Sequence, residues 1–230
     1  MWLKNKTLQK MGGGWFERTG LWLWSGLLML PISARKPPEI VKLFKRIRKD
    51  NRSLMSTFEQ YIIYSLAKAQ AGRPGAMAEV GVFKGASAKL ISEVKGDIPL
   101  YLFDTYEGLP ESHAADRGVH RVGQYHCSLE NVQNYLKGYP NLHYYKGIFP
   151  DSAVGVPEQK YSFAHFDVDL YEGTKGCLEY FYPRMIPGGV IISHDYSMLA
   201  GVEQAFTEFF ADKPERVIDL PTTQCMVIKL

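Results

Sequence analysis

The stretch AMAEVGVFKGAS, residues 76–87, decides how this chain folds. Ala76 to Val80 is a short apolar run carrying one acid, and a glycine-rich turn follows at once. Ser87 to Val94 then shows the apolar spacing of a helix. Strand, glycine turn and helix in that order open an α/β unit. Glycines at 81 and 85 let the turn bend tightly and let a ligand approach the backbone. The helix that follows offers free N–H groups at its start.

Downstream, the same alternation repeats. Strands are predicted at 100–103, ending at Asp104, then at 143–146, 163–166 and 189–193. Helices are predicted at 129–136, 172–182 (stopped by Pro183) and 201–210. Segments 216–220 and 224–229 flank Pro221-Thr222-Thr223 and read as two closing strands. Upstream, a basic amphipathic helix is predicted at 39–52, after the break at Pro37-Pro38. Ser53 or Ser56 caps a second one through Leu66, and Gly72-Arg73-Pro74-Gly75 ends it. Strands alternating with helices predict an α/β fold. Its sheet is seven-stranded and mostly parallel, with an antiparallel strand at the close and helices on both faces.

At 230 residues the chain has room for one domain with a large core and an N-terminal appendage. Apolar residues make up 46% and charged residues 22%, ordinary for a globular protein. The net charge of +3 is too small to argue for nucleic acid as a partner. It is unevenly placed. Residues 1–53 hold twelve Lys or Arg and three Asp or Glu, a net of +9, and the remainder carries −6. We therefore expect an arm and helix over 1–53 and one domain over 54–230. Cys127, Cys177 and Cys225 form no CxxC pair, and their odd number argues against a disulfide framework. A reducing cytoplasm fits that usage. The apolar run 21–32 is too short to span a bilayer. A secretory leader is not favoured, because the domain behind it reads as cytoplasmic. An arm packed on the domain or on a second subunit, in a homo-oligomer, is the favoured reading. Peripheral membrane contact through residues 15–35 is the other.

In open α/β sheets ligands bind beyond the carboxyl ends of the strands. Beyond the first strand stands Glu79-x-Gly81-x-x-x-Gly85. A Gly-x-Gly-x-x-Gly dinucleotide fingerprint is absent. An acid at the head of the turn disfavours a pyrophosphate and suits a cationic ligand. Asp104, 19 residues past Gly85, stands where an acid accepts hydrogen bonds from ribose hydroxyls. A ligand with a ribose, a positive centre and no phosphate chain is implied, and S-adenosylmethionine fits. Asp167 and Asp169 follow the fourth strand, and His194-Asp195-Tyr196 follows the fifth. Neighbouring parallel strands would bring these groups together. Clustered acids repel unless a cation or a proton intervenes. A divalent metal is the simple remedy, magnesium being the usual partner of carboxylates.

Four segments carry a resemblance. They are Glu79-Val80-Gly81-Val82-Phe83-Lys84-Gly85-Ala86-Ser87, Phe103-Asp104-Thr105-Tyr106-Glu107-Gly108-Leu109-Pro110, Asp167-Val168-Asp169-Leu170-Tyr171-Glu172-Gly173-Thr174 and Tyr182-Pro183-Arg184-Met185-Ile186-Pro187-Gly188-Gly189. Together they resemble the macrocin O-methyltransferase family over roughly residues 55–230. That resemblance implies a Rossmann-like methyltransferase fold and S-adenosylmethionine-dependent O-methylation. The implied acceptor is a small molecule or glycan, mainly a sugar hydroxyl of a natural product. It implies a cofactor set of Glu79, Gly81, Val82, Phe83, Gly85, Ser87, Asp104, Thr105, Gly147 and Asp167. It implies Asp167, His194 and Asp195 as ligands of a divalent metal, and Asp169 as general base. The family pattern has an acid where this chain has His194. Histidine suits manganese, iron or zinc better than magnesium. Its usual pKa also leaves open a role for His194 as the base.

The polar stretch 108–127 reads either as a lid that closes over the acceptor and selects it or as a merely mobile loop. Two other readings stay open here. One is an oxidoreductase using a nucleotide cofactor. The other is a methyltransferase-fold binding protein with altered catalysis.

Overall fold

The computed structural model describes residues 15–230, with side chains from residue 19 onward. The first fourteen residues of the expected arm lie outside the described residues. Seven α-helices and seven strands follow in these described residues. The helices are α1 (Trp15–Arg35), α2 (Pro38–Asp50), α3 (Thr57–Gln70), α4 (Ala86–Lys95), α5 (Leu129–Tyr135), α6 (Tyr171–Phe181) and α7 (Ala200–Phe209). The strands are β1 (Ala76–Val80), β2 (Leu100–Asp104), β3 (Leu142–Lys146), β4 (Tyr161–Phe166), β5 (Met185–Ser193), β6 (Ile218–Asp219) and β7 (Cys225–Ile228).

The sheet runs β3-β2-β1-β4-β5-β7-β6. Strands β1 to β5 pair in parallel, and β7 lies antiparallel to both β5 and β6. This is the architecture the resemblance implies. The strand order reverses between β1 and β4, which makes the crevice beyond their carboxyl ends the natural ligand site.

Every residue of β1 and β4 is buried, as expected of strands covered on both faces. One face (Ala78, Val80, Phe103, Ala164, Phe166) packs against Leu178 and Phe181 of α6 and Phe206 of α7. The other (Met77, Leu102, Phe163, Ile192) packs against Ile63 of α3, Ile91 of α4 and Val132 of α5. Met29 and Ile32 of α1 join Ile40, Phe44 and Ile47 of α2 in a third cluster with Tyr64 and Leu90. The N-terminal helices thus form a hairpin laid on α3 and α4. Pro31 lies inside α1, so the expected apolar run is part of one 21-residue helix.

Register aligns the strand ends. Val80 pairs with Phe103 on one side and Phe166 on the other, and Phe166 pairs with Ser193. Gly81, Asp104, Asp167 and His194 therefore all stand one residue past a common line. Strand β5 begins earlier than the sequence predicts. Pro187-Gly188-Gly189 reads as a turn, and it forms an irregularity inside the strand. Met185 and Val190 face Tyr161 and Phe163, so four residues oppose one.

Candidate active site

At the carboxyl edge the backbone must turn hard, and it does so with unusual conformers. Gly81 has φ of 85°, and a Cβ there would overlap the carbonyl oxygen of Asp167. Only glycine permits this approach of the two strand ends. Phe83, Tyr106, Asp169 and Asp195 also take positive φ, between 46° and 61°. Such conformers cluster where the surroundings enforce them. Here they re-aim side chains at one place.

That place is a cavity of about 920 Å³. Of the sequence-predicted residues, Gly81, Val82, Phe83, Ser87, Asp104, Thr105, Gly147, Asp167, Asp169, His194 and Asp195 line it. Gly85 does not; it sits at the N-terminus of α4 with φ of 84° and sets the helix direction. Glu79 does not either, and this corrects the expectation that it faces the ligand. It is fully buried in β1, opposite His165 of β4, whose Nδ1 lies 2.9 Å from its carboxylate. Burial pushes its carboxyl up in pKa, the His165 contact opposing this. The acid of the motif belongs to the floor beneath the turn, because alternation along β1 aims it into the sheet face.

Asp104 has a task that sequence spacing does not show. Its Oδ2 accepts the N–H groups of Val82 and Phe83 at 2.7 and 2.9 Å. Its Oδ1 accepts the N–H of Tyr106 at 2.6 Å. It therefore shapes the glycine turn before any ligand enters. We expect Asp104→Ala to leave three backbone donors without their acceptor, a loss of about 1–3 kcal/mol for each that stays dry. The variant should lose thermal stability and S-adenosylhomocysteine binding together, as thermal denaturation and calorimetry would show. The segment directly after α2 also touches this turn, since Arg52 donates to the carbonyl of Lys84 at 3.1 Å.

The acids past β4 and β5 surround His194. Its Nδ1 lies 3.4 Å from Asp167 Oδ1 and 3.1 Å from Asp195 Oδ1. Its Nε2 lies 3.3 Å from the Thr223 hydroxyl and 3.6 Å from Glu59 Oε1. Burial pushes the imidazole pKa down, but Asp195, Asp167 and Glu59 together raise it well above the usual value. Burial would raise Asp167 too, and the charge of His194 brings it below the usual range. For Asp169, burial and the charges of Asp195 and Asp167 all push the pKa well upward. The charges of Asp195 and Asp167 repel the Asp169 carboxylate, and a cation bound among these groups would relieve that repulsion.

Glu59 and Thr223 escape sequence reasoning as members of this group. Ser56-x-x-Glu59 is a legible capping box, and the structure forms it: Glu59 accepts the Ser56 N–H at 2.7 Å. Its other oxygen accepts the Thr223 hydroxyl at 2.7 Å. Burial would lift Glu59, yet His194, Thr223 and Ser56 hold it far below the usual carboxylate range. The signal for the cap is local; the signal for the contact with His194 is not.

The donor set can hold a divalent cation. One atom each from Asp167, His194 and Asp195 lie within 4.8 Å of one another. Asp195 is buried, and its Oδ1 accepts no hydrogen bond among the described residues. Ligating histidines characteristically place their other nitrogen against a carboxylate. Glu59 stands in that position. The polar loop folds over the cavity, tied to itself by Leu109 and Gln124 at 2.8 Å and pinned to α6 by Asp116, which accepts the N–H of Tyr171. It contributes His120, Gln124 and Tyr125 to the wall. Cys177 and Cys225 are buried and Cys127 half-buried, all with thiols pushed up by burial, so none is poised as a nucleophile.

Known proteins share both the pattern and the fold. One relative, the 8-demethyl-8-(2,3-dimethoxy-alpha-L-rhamnosyl)-tetracenomycin-C 4'-O-methyltransferase of Streptomyces olivaceus, is 32% identical over 143 residues, 55% of each chain. The demethyldecarbamoylnovobiocin O-methyltransferase of Streptomyces niveus is 28% identical over 154 residues, 60% of this chain and 59% of its own. The chain spans about half the length of these relatives. The solved structure of the O-methyltransferase NovP superposes with a TM-score of 0.71 at 22% identity, over 77% of this chain and 82% of that one. The sequence model of the macrocin-O-methyltransferase (TylF) family matches residues 55–224, which takes in the glycine turn, both Asp-rich strand ends and Glu59. With the motifs, the sheet order and this match in agreement, the chain belongs to the macrocin O-methyltransferase family.

Proposed function

We propose that the protein is an S-adenosylmethionine-dependent O-methyltransferase, assisted by a divalent metal, acting on a hydroxyl of a sugar-bearing small molecule or glycan. The observation that carries this reading is the meeting of the glycine turn with Asp167, Asp169, His194 and Asp195 on the wall of one cavity. The Streptomyces olivaceus relative is named for a rhamnosyl-bearing substrate, which supports the acceptor class.

The cofactor supplies an electrophilic methyl group on a sulfonium. Gly81 to Phe83, Thr105 and Gly147 bind and orient it along the cavity wall. Asp167, Asp195 and His194 would hold the metal, and a divalent ion there would supply Lewis-acid stabilisation of negative charge. Asp169 takes the proton from the acceptor hydroxyl. Of the two roles open to His194, ligand fits better than base, because its Nδ1 stands beside Asp167 and Asp195 while its Nε2 is turned to Glu59 and Thr223. Holding acceptor and donor in line supplies much of the rate. The loop carrying His120 and Tyr125 keeps water out.

Two measurements test this. Calorimetry should show heat with S-adenosylhomocysteine and none with NAD; the reverse would favour the oxidoreductase reading. Labelled S-adenosylmethionine, offered with a panel of glycosylated natural products, should transfer its methyl group to at least one of them. A chelator should stop that transfer and added Mn²⁺ or Mg²⁺ should restore it. Transfer that survives the chelator would dismiss the metal.

A further inference from the structure

The outer face of α1 does not carry the residues of a water-facing helix. Its inner face, through Ser25, Met29 and Ile32, is buried on the domain. On the other side Leu23, Trp24, Leu27 and Leu30 are each more than half exposed. Positions 23, 27 and 30 follow helical spacing, with Trp24 beside them, so they form one apolar stripe. Large contiguous apolar surfaces of this kind mark interaction sites.

The neighbouring helix says what covers it. Helix α2 folds back along α1, and Arg48 donates to the Trp22 carbonyl at 3.2 Å and stacks over its ring. Toward solvent α2 presents Lys42, Lys45, Arg46 and Lys49. Among the described residues Lys42, Lys45 and Lys49 have no acidic partner within ion-pair distance. A second copy would meet this surface through a two-fold axis, which sets each patch against itself. The two basic helices would then repel. An anionic bilayer offers both complements, apolar depth for Trp and Leu and negative headgroups for Lys and Arg. No described helix is long and apolar enough to cross a membrane, so the contact lies in the interface plane.

We propose that the α1–α2 hairpin docks the protein peripherally on an anionic lipid bilayer. Leu23, Trp24, Leu27 and Leu30 enter the boundary between headgroups and acyl chains. Lys42, Lys45 and Lys49 lie over the headgroups. Arg52 to Met55, directly after α2, belong to the cavity wall. The cavity therefore lies within about one helix length of the docked hairpin, ~20 Å for thirteen residues. This inference is independent of the chemistry proposed above.

The test is co-sedimentation of the full chain with vesicles, with light scattering to give the oligomeric state. Vesicles of phosphatidylglycerol and phosphatidylcholine in equal parts should capture the protein at low salt; phosphatidylcholine alone should not. Replacing Lys42, Lys45 and Lys49 with Gln should weaken capture about fivefold per charge, roughly a hundredfold in all. The pair Trp24→Ser and Leu27→Ser should weaken it at least about tenfold, with S-adenosylhomocysteine binding unchanged as the check on folding. No capture of the unaltered chain by anionic vesicles would overturn the proposal. So would capture indifferent to the Trp24 and Leu27 changes, or a dimer that those changes split while vesicles bind neither form.

Discussion

Asp169→Asn is expected to lower the rate of methyl transfer by about 10²–10⁴-fold, a barrier about 3–5 kcal/mol higher, while cofactor affinity stays the same. Asparagine keeps the shape and loses the ability to take a proton. Asp169 lines the cavity beside Asp167 and Asp195 but is no part of the three-residue cation cluster. Its loss should therefore spare metal affinity as well. The variant should also be more stable. In the native chain Asp169 has its pKa raised by burial and by two acids, so the folded state binds its proton more tightly than the unfolded one. That preference is favourable at low pH and is lost as pH rises above the ordinary carboxylate range, where ionisation opposes folding. Removing the carboxyl should raise the melting temperature most at neutral and alkaline pH. Single-turnover methyl transfer, calorimetry and thermal melts at two pH values separate these effects. Full activity in the variant would strip Asp169 of the base role.

Glu59→Gln is expected to weaken divalent-metal binding by about 10–100-fold, the usual cost of losing a partner behind a ligating histidine. Glutamine can still serve a capping box, so helix α3 should keep its N-terminus. What disappears is the negative charge 3.6 Å from His194 Nε2. Titration with Mn²⁺, followed by its paramagnetic signal, reads the affinity without reference to turnover. Circular dichroism checks the helix. Unchanged Mn²⁺ affinity would reduce Glu59 to a cap alone. A loss confined to helix content would point the same way.

Much of this molecule can be read along the chain. Strands β1, β2 and β4 announce themselves as mostly apolar runs, because a strand covered on both faces buries its side chains, and the polar exceptions Glu79 and His165 pair with each other. The glycine turn is legible because Gly81 stands where no other residue fits. Pro187-Gly188-Gly189 misleads for a related reason: the residues that make turns also make irregularities inside strands, and only the pairing partner tells them apart. Glu79 misleads because an acid at a strand end looks the same in sequence whether it faces the ligand or the floor. The half-turn between successive strand residues sends it to His165.

What the sequence by itself determined was the order of elements, the residues standing at each strand's end and the family they resemble, since these depend on short-range periodicity and on turn chemistry. Only the tertiary structure decided that Glu59, Asp167, His194, Asp195 and Thr223 form one polar cluster. Glu59 and Thr223 are 164 positions apart. Strand register brings the ends of β1, β2, β4 and β5 to a common line, and packing of α3 against that sheet carries Glu59 to His194. No local pattern encodes that distance, because it is set by how faces stack and not by how neighbours repeat.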